Sequence, residues 1–181
     1  VTSIGFPAFL RSGHTSGKHG WQNTCYLTAE SDLIEHLSQI VIYSEMAGLC
    51  GLSTNVWAVR ELLPVQPVAT LRHYGMMPLV REFRFFCDKR GNVRYFQPYW
   101  PDEAIDEGAP DREFDRSSLK SFRSHVEYMQ AENLARSAAV ACSGSGKNWS
   151  VDILETDKGF HITDMALAEF SHGFDQERFG A

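Results

Sequence analysis

The chain has little of what marks several common classes of protein. Its 181 residues include four cysteines, Cys25, Cys50, Cys87 and Cys142, and no CxxC or His-rich spacing joins them. That leaves no metal-ligand pattern and predicts reduced core thiols in a cytoplasmic protein. Basic excess is also missing: 17 Lys and Arg stand against 23 Asp and Glu, a net charge of −6. Such a balance argues against general nucleic-acid binding through the phosphate backbone, but leaves room for a local basic cleft. No apolar run approaches the length of a membrane helix. The start, VTSIGFPAFL, lacks a basic segment followed by an apolar core, so it does not read as a signal peptide. Its first residue is Val, which points to an upstream portion or an unusual start codon. Internal repeats and low-complexity tracts are absent.

What is present is ordinary for a globular domain: 43% hydrophobic and 22% charged residues. Residues 4–11, IGFPAFLR, read as a short strand, followed by a polar glycine-rich loop over 12–24 and a short strand at CYL. The segment TAESDLIEHLSQIVIYSEMAG fits a helix, with Leu33, Ile34, Leu37, Ile40, Val41 and Met46 at helical spacing. Thr28 or Ser31 is placed to cap it and Gly48 to end it. VWAVRELLPV, 56–65, is β-rich. Residues 78–100 form the clearest hairpin, alternating through Val80, Glu82, Arg84 and Phe86 into a DKRGN turn. PDEAIDEGAPDREFD, 101–115, reads as an acidic loop, and a long helix is expected from Ser117. The tail AEFSHGFDQERFGA reads as irregular. Strands and helices mix without a regular βαβ alternation, which predicts an α+β fold with antiparallel sheets.

The stretch NWSVDILETDKGFHITDMA, 148–166, has two apolar runs flanking a turn, with an aspartate inside each. A three-residue loop, Asp157-Lys158-Gly159, would pair Thr156 with Phe160 and place Asp152 opposite Asp164 on one face. Facing like charges are destabilising. A shared proton, a basic side chain or a divalent cation should compensate, and oxygen-only ligands suit Mg²⁺. Arg84 lies between Phe83 and Phe85, with Glu82 on its own face, and needs an anionic partner: Glu82, the aspartates or a phosphate. Lys18, in SGKHG, sits where backbone amides and a point charge could meet phosphates. Two patterns mislead. ACSGSGKNWS has Ala141 and Asn148 where a Walker loop needs Gly and Ser or Thr, and it follows a helix. Lys18-His19-Gly20-Trp21 lacks the Lys-x-Asp-Gly of lysyl-adenylate ligases. His14, His19, His73 and His161 have no metal-ligand spacing.

Taken in order, these pieces resemble the ATP-grasp family from about Phe6 to Ser171. FLR resembles its first nucleotide-binding strand, with Arg11 on phosphate, and Lys18 resembles the lysine of its closing glycine-rich loop. VRELLPV resembles the strand entering the adenine hinge, with Glu61, Leu62 and Leu63. REFRFF matches a Glu-x-Arg strand, Glu82 and Arg84, whose Arg reaches the terminal phosphate. Asp152 and Asp164 match the Mg²⁺-binding carboxylates. The resemblance implies two subdomains, 1–65 and 66–181, enclosing a nucleotide cleft, without the family's amino-terminal substrate domain. Arg84 and Lys18 would be catalytic. It implies ATP and Mg²⁺ as cofactors. The implied activity is a ligase that activates a carboxylate as an acyl phosphate for attack by an amine or thiol. Ala166 stands where the family has an Asn two residues after the second carboxylate, so one metal ligand is missing or is left to Glu169 or water. A nucleotide-binding module without turnover, and a nucleotidyltransferase resembling RNA ligases, are the alternatives.

Overall fold

The computed structural model describes residues 4–13, 15, 17–46 and 56–180. Cys50, Gly48 and His14 lie outside them. The chain is α+β, with three antiparallel sheets and packed helices. It divides into two compact units. One comprises Val1–Leu63, Ala69–Leu79 and Ile105–Arg112; the other comprises Pro64–Val68, Val80–Ala104 and Glu113–Ala181.

In the first unit, β1 (Ala8–Ser12) lies between β2 (Tyr26–Leu27) and β3 (Trp57–Glu61). Alternation along β1 sends Ala8 and Leu10 into a core with Leu27 and Ile40, the last on helix α1 (Leu33–Met46). A single turn of 3₁₀ helix, Glu30–Asp32, precedes α1. Its start is held by Asp32, whose carboxylate accepts from the Thr28 amide at 2.8 Å, the Thr28 hydroxyl at 2.7 Å and the Ala29 amide at 3.0 Å. Thr28 therefore takes part as a donor, and Asp32 is the acceptor. A small hairpin, β4 (Ala69–Leu71) and β5 (Met77–Leu79), completes the sheets of this unit. Sequence pattern gives no sign of it, because each strand has three residues and β5 contains Pro78. The expected acidic loop contains a helix, α2 (Asp102–Gly108), whose Asp102 and Glu103 fall in the first turn, where the helix dipole favours acids.

The second unit holds a four-stranded sheet in the order β7-β6-β8-β9: β6 is Glu82–Cys87, β7 Val93–Pro98, β8 Trp149–Thr156 and β9 Gly159–Leu167. The expected long helix is split. Residues Ser117–Lys120 form α3, Ser121 turns extended, and α4 runs His125–Ala141. Ser124 caps α4 by accepting from the Glu127 amide at 3.2 Å, and Glu127 accepts in return from the Arg123 amide at 2.9 Å. Ala131, Ala135 and Ala139, spaced one turn apart and fully buried, let α4 approach the sheet face bearing Phe83, Phe85, Cys87, Val151 and Ile153. Burying one such phenylalanine contributes roughly 1.5–3 kcal/mol. The other sheet face is left for Glu82, Arg84 and Phe86 of β6 and their neighbours.

Cys25 and Cys87 are free and buried, and burial pushes their thiols up to about 11 and about 12 respectively. Cys142 is free and half-buried. Among the described residues, no helix is long and apolar enough to cross a membrane.

Candidate phosphate- and metal-binding face

The strand register assembles one row of polar side chains across the sheet face turned away from α4. Gln97 of β7 pairs with Arg84 of β6, Arg84 with Asp152 of β8, and Asp152 with Asp164 of β9. The aspartates thus face each other as expected, but by a different route. The turn has two residues, pairing Thr156 with Gly159, and that register would set Asp152 against Thr163. A register shift between Asp152 and Ile153 leaves Thr163 as an extra residue and restores the Asp152–Asp164 pair. The bulged Thr163 hydroxyl donates to Glu82 Oε1 at 2.7 Å, which supplies a partner for that buried carboxylate.

Arg84 answers the question of compensation. Its Nε donates to Asp152 Oδ1 at 2.7 Å and its Nη2 to Asp152 Oδ2 at 2.9 Å, a two-pronged ion pair. Both side chains are largely buried, at 14% and 7% exposure. Burial would lower the Arg84 pKa; the hydrogen bonds and charge of Asp152, with Tyr99 and Glu82 adding, outweigh it and hold the pKa up. The guanidinium also lies over the Tyr99 ring, 4.9 Å from its centroid. Asp164, half-buried, accepts from the Met165 amide at 3.0 Å.

Two oxygen-bearing carboxylates side by side match the hard, oxygen-only preference of Mg²⁺, which commonly takes one or two carboxylates with phosphate oxygens and water. Among the described residues, no group of three or more His, Cys, Asp or Glu side chains could hold a metal ion. The pair by itself offers two carboxylates, a number that a Mg²⁺ completing its shell with phosphate oxygens and water takes. Glu169, exposed in the 3₁₀ turn after β9, does not join the pair in such a group. Ala166 pairs with Ser150, whose hydroxyl is 2.6 Å from that of Ser171.

The remaining expected site residues belong to the first unit, except that Glu82 and Arg84 share the second with the aspartates. Arg11 of β1 is half-buried and donates from Nε to the Ser12 carbonyl at 3.1 Å. It lies on the sheet face opposite α1, the face of Phe9 and Arg60. Lys18 opens a 3₁₀ helix, Lys18–Asn23, after Gly17 in the left-handed region at φ 61°. Trp21 of that helix stacks on Tyr26 and tilts against Phe9. Glu61 ends β3, exposed, and Leu62 and Leu63 follow it half-buried. Gln97, Thr163 and Tyr99 give no sequence signal of a role, since each depends on which strands become neighbours.

The face so assembled belongs to an α+β protein and carries a largely buried arginine forked onto one of two facing carboxylates. No protein-family model and no curated protein matches the chain. Solved structures do. One is the biotin carboxylase domain of the *Hydrogenobacter thermophilus* 2-oxoglutarate carboxylase in complex with MgADP, ADP and bicarbonate, at 14% identity and a TM-score of 0.49, over 92% of this chain and 32% of that one. Another is N5-carboxyaminoimidazole ribonucleotide synthetase from *Thermotoga maritima*, at 12% identity and a TM-score of 0.41, over 92% and 33%. A third is a RimK domain ATP-grasp protein from *Sphaerobacter thermophilus*, at 12% identity and a TM-score of 0.35, over 99% and 50%. The chain is similar in structure to ATP-grasp proteins and spans about a third of the length of the first structures it matches. At these identities the likeness concerns the course of the chain and assigns no side chain a role.

Proposed function

We propose that the protein binds ATP with Mg²⁺ and uses the polar row of its second unit to hold the terminal phosphates. The observation that carries this reading is the register row of Arg84, Asp152 and Asp164, with Arg84 forked onto Asp152. The order of motifs in the sequence supports it. In this reading Asp152 and Asp164 hold the cation, which, when bound, neutralises phosphate charge. Arg84 is assigned the oxygens of the terminal phosphate, met by the N–H groups that its fork onto Asp152 leaves over. Arg11 and Lys18 are assigned further phosphate contacts, Lys18 from the loop that would close over ATP. Glu61, Leu62 and Leu63 are assigned the adenine edge, and Glu82 the support of this row through Thr163.

The chemistry assigned is that of a ligase: transfer of the terminal phosphoryl group to a carboxylate, then displacement of phosphate by an amine or similar nucleophile. Positioned cations are what a loose phosphoryl-transfer transition state requires. A second reading is a nucleotide-binding module without turnover. Ala166 at the expected Asn position favours it. Thermal unfolding with and without Mg²⁺–ATP tests binding: at one hundred times its dissociation constant a ligand adds about 2.7 kcal/mol. Single-turnover release of ADP with small carboxylic acids separates ligase from module. An unfolding temperature indifferent to Mg²⁺–ATP refutes both.

A further inference from the structure

We infer that the carboxy-terminal segment, His172 and Gly173 above all, is part of the phosphate-binding face, where with Gln97 it positions Arg84. The inference rests on the reading of Arg84 as a phosphate contact. After β9 the chain turns through Ala168–Phe170 and folds back over the row of the sheet next to Arg84. Phe174 and Phe179 pack on Phe86, Tyr95 and Ala168. The Tyr95 hydroxyl donates to the Gly173 carbonyl at 3.2 Å and accepts from the Asp175 amide at 2.7 Å. Arg178 lies over the Tyr95 ring, 3.9 Å from its centroid. The segment is thus anchored on both sides of residues 172 and 173.

At that point it meets the polar row. The His172 carbonyl accepts from the Gln97 amide at 3.0 Å and, at a longer 3.5 Å, from Arg84 Nη1. Nη1 is the prong of the guanidinium that the fork onto Asp152 does not use. The cation is therefore bounded by Asp152, by the Tyr99 ring and by the His172 carbonyl, and Gln97, its register partner, ties that carbonyl in place. Gly173 is the close contact: a Cβ there would stand 2.0–2.4 Å from the Gln97 amide group, at a φ of +80° that disfavours side chains. Chain following the second carboxylate thereby helps to set the arginine that meets the phosphate. A guanidinium held in place before binding spends less of the interaction on ordering.

The test uses Gly173→Ala and Gln97→Ala, with Arg84→Lys as the control that keeps charge but loses the fork. Two quantities are read in the full chain: the Nε–H resonance of Arg84, identified by its absence in Arg84→Lys, and the affinities for Mg²⁺–ATP and for AMP. We expect both variants to shift and broaden the Arg84 signal. They should weaken Mg²⁺–ATP binding roughly tenfold, the scale of one hydrogen bond to a charged group, and leave AMP binding unchanged. An unmoved Arg84 signal in both variants overturns the inference whatever ATP does. So does an equal loss of ATP and AMP, which would report general damage to the fold. If Arg84→Lys itself leaves ATP affinity unchanged, the phosphate reading fails, and the positioning role falls with it.

Discussion

At the scale of single residues, the pair Arg84–Asp152 decides most. Taken from the sequence alone, Arg84→Ala is expected to leave the fold nearly intact. The ion pair changes that expectation. Removing either partner strands a largely buried charge, so Arg84→Ala or Asp152→Asn should each cost about 3 kcal/mol in urea denaturation. The combined Arg84→Met, Asp152→Leu variant should cost less than either, because neither member of the pair is left without the other; a double variant as unstable as the less stable single would contradict this. The need for a partner was legible in the sequence, since an arginine between Phe83 and Phe85 must find an anion. Which of Glu82 and the aspartates it takes was not legible, because that depends on β6 lying beside β8. The facing aspartates were anticipated through a longer turn. The shorter turn and the bulge at Thr163 cancel each other, and sequence pattern carries no sign of either.

Among the elements, legibility follows length and periodicity. The hairpin β6–β7, the hairpin β8–β9 and helix α1 stand out because each repeats its pattern over several residues. The three-residue strands β4 and β5 do not, and the break at Ser121 that separates α3 from α4 shows only in hindsight as a Ser-x-x-Glu cap. Asp32 supplies a pH signature for α1. Its hydrogen bonds from Thr28 and Ala29 lower its pKa from 3.8 to about 2, so its contribution belongs to the ionised form. That contribution is complete above pH about 4 and lost as pH falls toward about 2. The stability difference between wild type and Asp32→Asn should therefore be constant above pH 4 and shrink below it. A difference that grows on acidification would be the wrong sign. On α4, Ala135 is fully buried in the cluster it shares with Phe85, Cys87 and Val151, so Ala135→Leu should destabilise by about 1–3 kcal/mol in thermal or chemical unfolding. A neutral result would mean that the alanine face does not set the distance between helix and sheet.

For the molecule as a whole, each compact unit carries its own share of the proposed machinery: Arg11, Lys18 and Glu61–Leu63 in one, and the row of Gln97, Arg84, Asp152 and Asp164 in the other. The order of these segments along the chain is what makes the sequence resemble ATP-grasp proteins. The carboxy-terminal segment is the piece that order did not reveal, since its contacts with Gln97 and Tyr95 join positions far apart in sequence. The proposed function turns on the two aspartates and Arg84 binding a magnesium-bearing triphosphate. Calorimetric titration of ATP into the protein, with and without Mg²⁺ and in wild type and Asp164→Asn, measures that binding. Wild type should bind ATP more tightly with Mg²⁺, and Asp164→Asn, still folded, should lose that Mg²⁺ dependence. Binding that ignores Mg²⁺ in both proteins, or no ATP binding at all, would contradict the proposal.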